Sequence, residues 1–152
     1  MVQLIILASI LVGSRLSGMD ANWTPVLATA IILPYLTQNK VVQYSLPISI
    51  MVVTDIYMSG NFYPVVYFCI GASTLLSNRL NKYSATLAGV LLWHISVNGA
   101  VVMSGPGFAP FTPEAMIFDL RLLASSLLYV GLFDVAQRFF KQISAYKNSS
   151  AL

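Results

Sequence analysis

Asp55, His94, Asn98 and Arg121 stand inside long apolar runs, where a polar or charged side chain has to have a reason. Asp55 lies in "MVVTDIYMSG" at 51–60, just before the break at Ser59-Gly60-Asn61. A carboxylate there needs a cation, hydrogen-bond donors or a wet cavity. Arg121 is its preferred partner and Arg15 the alternative at similar depth. The pair could clamp two helices together, or it could line a pocket that takes a small polar solute. His94 and Asn98, four apart in "WHISVNG", share one helix face. They could hydrogen-bond to a neighbouring helix or touch a ligand. No second ligand stands at metal spacing from the lone histidine, so no metal, haem or other cofactor is expected. His-Glu-x-x-His, Gly-x-Ser-x-Gly and phosphate-binding Gly-rich patterns are absent, so no catalytic residue is assigned and enzymatic activity is not expected.

The elements that hold these residues follow from composition. Of 152 residues, 57% are hydrophobic and 9% charged. A soluble domain carries roughly a quarter charged residues. Eight basic and five acidic side chains cannot cover a soluble surface of this size, so an all-α integral membrane protein is expected, with the lipid bilayer as its solvent. The net charge of +3 is no signal for nucleic acid. Cys69, the single cysteine, excludes an internal disulfide and reads as a small packing residue.

Charged and Pro/Gly-rich stretches cut the chain into six apolar segments, at about 2–14, 23–36, 41–58, 62–78, 84–103 and 115–137. The last four all reach the lower limit of about 17 residues for a span. The second can be extended through its flanks. The first is short enough to suit a signal-peptide core but has no basic stretch before it, so a true first span is expected. Residues 1–140 then form one six-helix transmembrane domain and 141–152 a polar cytoplasmic tail. Lys40, Arg79, Lys82, Arg138, Lys141 and Lys147 all fall on one side, whereas the opposite loops hold Arg15, Asp20 and Glu114. The positive-inside rule places that basic side, and both termini, in the cytoplasm. Tyr35, Tyr44, Tyr83, Tyr146, Trp23, Phe108 and Phe111 stand near span ends as an aromatic belt.

On the outer side, "DANWTP" opens the second span, with Asp20 or Asn22 available as a cap and Pro25 suited to a first turn. Asn22, Trp23, Asp55, Tyr57, His94, Asn98 and Arg121 are expected to converge on an outward-facing pocket. Ser9 and Gly13, spaced for close helix contact, form a candidate partner-docking face, and Ser14 and Gly18 repeat the spacing. Asp134 and Arg138 read as a surface pair, and Gly-Pro-Gly-Phe at 105–108 as a turn.

"NWTPVLATA" at 22–30, "TDIYMSG" at 54–60 and "HISVNGAVV" at 94–102 together resemble a family of small bacterial membrane proteins assigned to transport. That family is related to the substrate-binding S components of energy-coupling-factor (ECF) vitamin transporters. The resemblance spans roughly 10–135, with Val97 standing where the family would have Thr. It implies a six-helix bundle in the bacterial inner membrane that takes a small vitamin-like solute from outside. It also implies a transmembrane coupling protein and ATPase subunits as partners, since this chain has no nucleotide site. The competing reading is a non-transport accessory subunit that packs in a larger membrane complex.

Overall fold

The computed structural model describes residues 2–105 and 112–149, without the side chains of Ala21 and 143–149. Among them run six α-helices: α1 (Val2–Leu16), α2 (Val26–Leu36), α3 (Lys40–Ser59), α4 (Pro64–Ser77), α5 (Lys82–Met103) and α6 (Pro113–Ser149), with a 3-10 turn at Ala21–Trp23 before α2. The expected all-helical class holds. Three helices, α3, α5 and α6, are long and apolar enough to cross a membrane. α1, α2 and α4 have 15, 11 and 14 residues, so the fourth segment falls short of the span length expected for it and the second is not extended by its flanks. The 3-10 turn ends in Thr24 with extended backbone, and Pro64 starts α4 two residues later than its apolar segment suggests. The segment expected as a polar tail from 141 continues α6 to Ser149, because no Gly or Pro interrupts the chain after Gly131. Phe108, Phe111 and the turn after Gly105 lie outside the described residues, as do the side chains of Tyr146 and Lys147.

Helix ends are set by local chemistry. The Asn39 side chain accepts from the backbone N–H of Val41 at 3.0 Å and opens α3. Asn81 accepts from Ser84 at 2.9 Å and opens α5. Both satisfy donors the helix cannot. Gly60 closes α3 at φ +67, a conformation that costs other residues a Cβ clash. At the start of α2 neither Asp20 nor Asn22 caps with its side chain, contrary to expectation, because the 3-10 turn intervenes and Pro25 takes the position before the helix.

α2 sits at the centre. It packs against all five other helices, and Val26 to Leu33 are buried without interruption. With no polar face to turn outward, this helix suits the central place. Around it the outer helices turn their apolar residues outward, as in the Leu87–Leu91–Ile95 stripe of α5. Small hydroxyl residues fill the contacts between helices. Ser77 donates to the Ile31 carbonyl at 2.6 Å, joining α4 to α2, and Ser125 donates to the Asn22 carbonyl at 2.6 Å, joining α6 to the 3-10 turn. Small polar residues of this kind let helices approach closely without a large apolar core. Cys69 is buried and free, in keeping with a packing role.

Consecutive helices alternate in direction, which gathers polar residues at two ends. One end carries Lys40, Lys82, Asp134, Gln3 and Gln137, linked through Lys40 to Asn78, Lys82 to Asp134 and Gln137 to Gln3. The other carries Arg15, Asp55, Asn22, His94 and Asp119. Asp134 bonds to Lys82 and to the Tyr83 hydroxyl at 2.7 Å. Its direct partners are therefore on α5, not the Arg138 expected one turn along its own helix. Lys82 also lies 5.3 Å from the Tyr35 ring, a cation–π contact from α5 to α2.

α4 and α5 approach closely at Gly89. A Cβ added at Gly89 would stand 2.9 Å from the Ser73 hydroxyl, which itself donates to the Cys69 carbonyl at 2.7 Å. Gly89→Ala is therefore expected to lower stability by about 1–3 kcal/mol, and Gly89→Val to prevent folding. Adding Ser73→Ala to Gly89→Ala removes the obstacle and should recover most of the loss. Thermal unfolding in mild detergent reads all three.

Candidate functional site

Asp55 stands one turn before the end of α3 and is 5% exposed. Its Oδ1 pairs with the Arg15 guanidinium from the last turn of α1. Its Oδ2 accepts from the Tyr67 hydroxyl, in the first turn of α4, at 3.0 Å. Arg15 Nε donates to Thr54 Oγ1 at 3.3 Å. Both carboxylate oxygens are thus engaged, as a buried carboxylate requires. Three local features place these groups. Gly60 ends α3 just past Asp55, Pro64 starts α4 so that Tyr67 comes one turn in, and α1 ends on Arg15 and Leu16. A cation in the last turn of α1 also complements that helix's dipole.

The expected partner, Arg121, is not the one used. It is exposed on α6, and no hydrogen bond or ion pair to it is formed among the described residues. The reason is the packing order: α1 lies beside α3, whereas α6 lies against α2 and α5. Depth along the chain put Arg121 and Arg15 level with Asp55, but only Arg15 is on an adjacent helix.

His94 and Asn98 do share a face of α5, and that face meets α6. His94 Nδ1 lies 2.5 Å from Asp119 Oδ2. Asn98 Nδ2 lies 2.8 Å from His94 Nδ1 and 3.4 Å from the same Asp119 oxygen. One nitrogen cannot donate to the carboxylate and accept from the amide at once. The consistent pattern has Nδ1–H donating to Asp119, with the Asn98 amide aimed at the same carboxylate. The group is only partly buried: the His94 side chain is 30% exposed and that of Asp119 14%. A carboxylate that fixes one imidazole nitrogen sets the tautomer and orientation of the ring. This is a positioned, partly open polar group, suited to hydrogen-bonding a solute. Among the described residues no cluster of His, Cys, Asp or Glu has the composition to hold a metal ion.

Asn22 is buried at the same end, and its Oδ1 has no hydrogen-bond partner among the described residues. Trp23 beside it is partly exposed, and Tyr57 is 81% exposed on the outer face of α3. The seven candidate residues therefore share one end of the molecule but not one cavity. Asp55 belongs to a group on α1, α3 and α4, and His94 and Asn98 to a group on α5 and α6. The prominent clefts lie elsewhere. One of about 550 Å³ between α1 and α3 is lined by Val12, Leu16, Ile50, Val53 and Thr54 and includes Tyr57 alone of the seven. Another, of about 260 Å³, runs between α1, α2 and α6. Ser9 and Gly13 are exposed on α1, and a Cβ at Gly13 would meet no neighbour.

Sequence reasoning gave no role to Tyr67, Thr54 or Asp119. Asp119 had a visible signal, a carboxylate in the second turn of an apolar helix. Its pairing with His94 needed the knowledge that α5 and α6 face each other at that height.

Arg15→Ala leaves the Asp55 carboxylate buried and unpaired, and is expected to cost about 3–5 kcal/mol. The double change Arg15→Met with Asp55→Leu should cost less than either single change, and Arg121→Ala should fall within about 0.5 kcal/mol of the native chain. Detergent-phase thermal melts distinguish these. A large loss in Arg121→Ala would contradict the assigned pair.

A comparison with curated proteins and one with solved structures find no match. A family model described as a family of unknown function, DUF6580, matches residues 1–147. That match does not connect the chain to ECF S components or to any activity. It covers nearly the whole helical bundle, from α1 to the last turn of α6, and on that extent the chain belongs to the DUF6580 family.

Proposed function

We propose that this chain is a six-span protein of the bacterial inner membrane that binds a small polar solute at the end of the bundle opposite Lys40, Lys82 and Arg138, as ECF S components do. The observation that carries this reading is the His94–Asn98–Asp119 group, which is held in fixed geometry yet left partly open. Ionisable groups inside membrane helices are costly, and they mark solute pathways. Asn98 and Asp119 offer a donor and an acceptor to the solute, and the His94 ring holds them in place. Arg15 and Asp55 hold α1, α3 and α4 in place behind the site. In this reading the termini and the basic end face the cytoplasm. A transmembrane coupling protein with ATPase subunits would dock on the Ser9–Gly13 face of α1, which is bare in the isolated chain.

The accessory-subunit reading has one observation in its favour. The two clefts along α1 are lined mainly by carbon, and Asp55 is satisfied within the chain. A protein that only packs against others needs nothing more.

Two measurements separate these readings. With Cys69 replaced by Ala, single cysteines at positions 61 and 81 test the orientation. A membrane-impermeant thiol reagent added outside should label 61 and spare 81, and the reverse pattern overturns the topology. Mass spectrometry of small molecules retained through purification tests binding. Asn98→Ala and Asp119→Asn should each reduce the retained solute about tenfold while stability changes by about 1 kcal/mol. Retention of no solute by the native chain favours the accessory subunit.

A further inference from the structure

The cleft of about 260 Å³ between α1, α2 and α6 plays no part in the proposed solute site. Its walls are Ile6 and Leu7 from α1, Ile32 and Leu36 from α2, and Leu132 and Phe133 from α6. It extends from Pro25, just before α2, to Leu36, and on α6 from Tyr129 to Phe140. Eleven residues of helix rise about 16 Å. One leaflet of a bilayer is about 15 Å of hydrocarbon, half of the full thickness. The cleft is therefore about one leaflet long and lined almost throughout by carbon.

Its two ends differ. Gln3 and Gln137 stand together at one, with the Gln137 amide 3.5 Å from Gln3 Oε1. Lys141 follows Gln137 by one helical turn on the same face and is exposed. This is the end where the bundle collects Lys40, Lys82 and Arg138. An alkyl chain lying in the cleft would bring a headgroup out beside two amides and a lysine. We infer that the α1/α2/α6 cleft holds one acyl chain of an anionic phospholipid, with its phosphate at Gln3, Gln137 and Lys141. Length selects the chain and charge selects the head. Juxtamembrane lysines attract anionic lipid surfaces in the same way. The inference rests on the membrane reading of the fold and is independent of the solute site.

One residue of the lining permits a sharp test. Thr29 is fully buried, and its hydroxyl has no hydrogen-bond partner among the described residues. If the occupant is an acyl chain, the Thr29 hydroxyl contributes nothing to it, and Thr29→Val should retain as much or more. If the occupant instead carries a polar oxygen to this point, Thr29→Val should lose it.

The full chain is reconstituted into nanodiscs of phosphatidylglycerol or of phosphatidylcholine with the same acyl chains, re-extracted in mild detergent and weighed by native mass spectrometry. The expected result is retained phosphatidylglycerol in preference to phosphatidylcholine. Ala136→Trp fills the cleft from an exposed position and should reduce retention about tenfold. Lys141→Glu leaves the cleft intact and should abolish the preference for the anionic head. Retention of neither lipid, equal retention of both, unchanged retention in Ala136→Trp, or loss in Thr29→Val would each overturn the inference. Failure of the chain to enter nanodiscs at all would instead overturn the membrane reading beneath it.

Discussion

A buried carboxylate leaves a helical bundle little choice. Asp55 has to meet a cation and a donor inside a nearly charge-free structure, and it finds Arg15 on α1 and Tyr67 on α4. A buried ion pair adds little net stability over well-packed apolar residues, but it penalises any arrangement that separates its members. The pair therefore fixes α1 beside α3 and sets the height of α4 against both. With those three helices in register, α2 is enclosed, and the remaining two close over its other side.

The enclosed helix explains much of the rest. α2 is short, and Val26 to Leu33 are buried throughout, so its neighbours must present small groups to it. Ser77 and Ser125 do so, and each spends its hydroxyl on a backbone carbonyl of the segment from Asn22 to Ile31. Gly89 serves a similar need where α5 crosses α4. The outer faces of the long helices are free to be apolar, and α5 shows this in Leu87, Leu91 and Ile95. In water these stripes would be a liability. In a bilayer they are the contact surface.

Alternating helix direction sorts the polar chemistry. The basic end is tied by Lys82, Asp134 and Tyr83 and by Lys40, Gln43 and Asn78. The opposite end holds one closed group around Asp55 and one partly open group around Asp119. Family membership adds extent to this picture without adding an activity.

Composition and patterning by themselves determined the all-helical class, the six apolar segments and the gathering of basic residues at one end. They did so because each depends only on local sequence: apolar runs, breaks at Pro and Gly, and the alternation of charge between successive connections. They also placed His94 and Asn98 on one face, since a spacing of four fixes that in any helix. Tertiary structure alone decided the partners. Arg15 and Arg121 stand at equal depth, and only the adjacency of α1 and α3 chooses between them. Asp119 becomes the partner of His94 only because α6 packs on α5. The true helix lengths were likewise beyond the sequence pattern, since hydrophobicity runs on through the extended backbone at Thr24 and through Phe62 and Tyr63, where the helix does not. Sequence periodicity states which side a residue is on, and only packing states what is there to meet it.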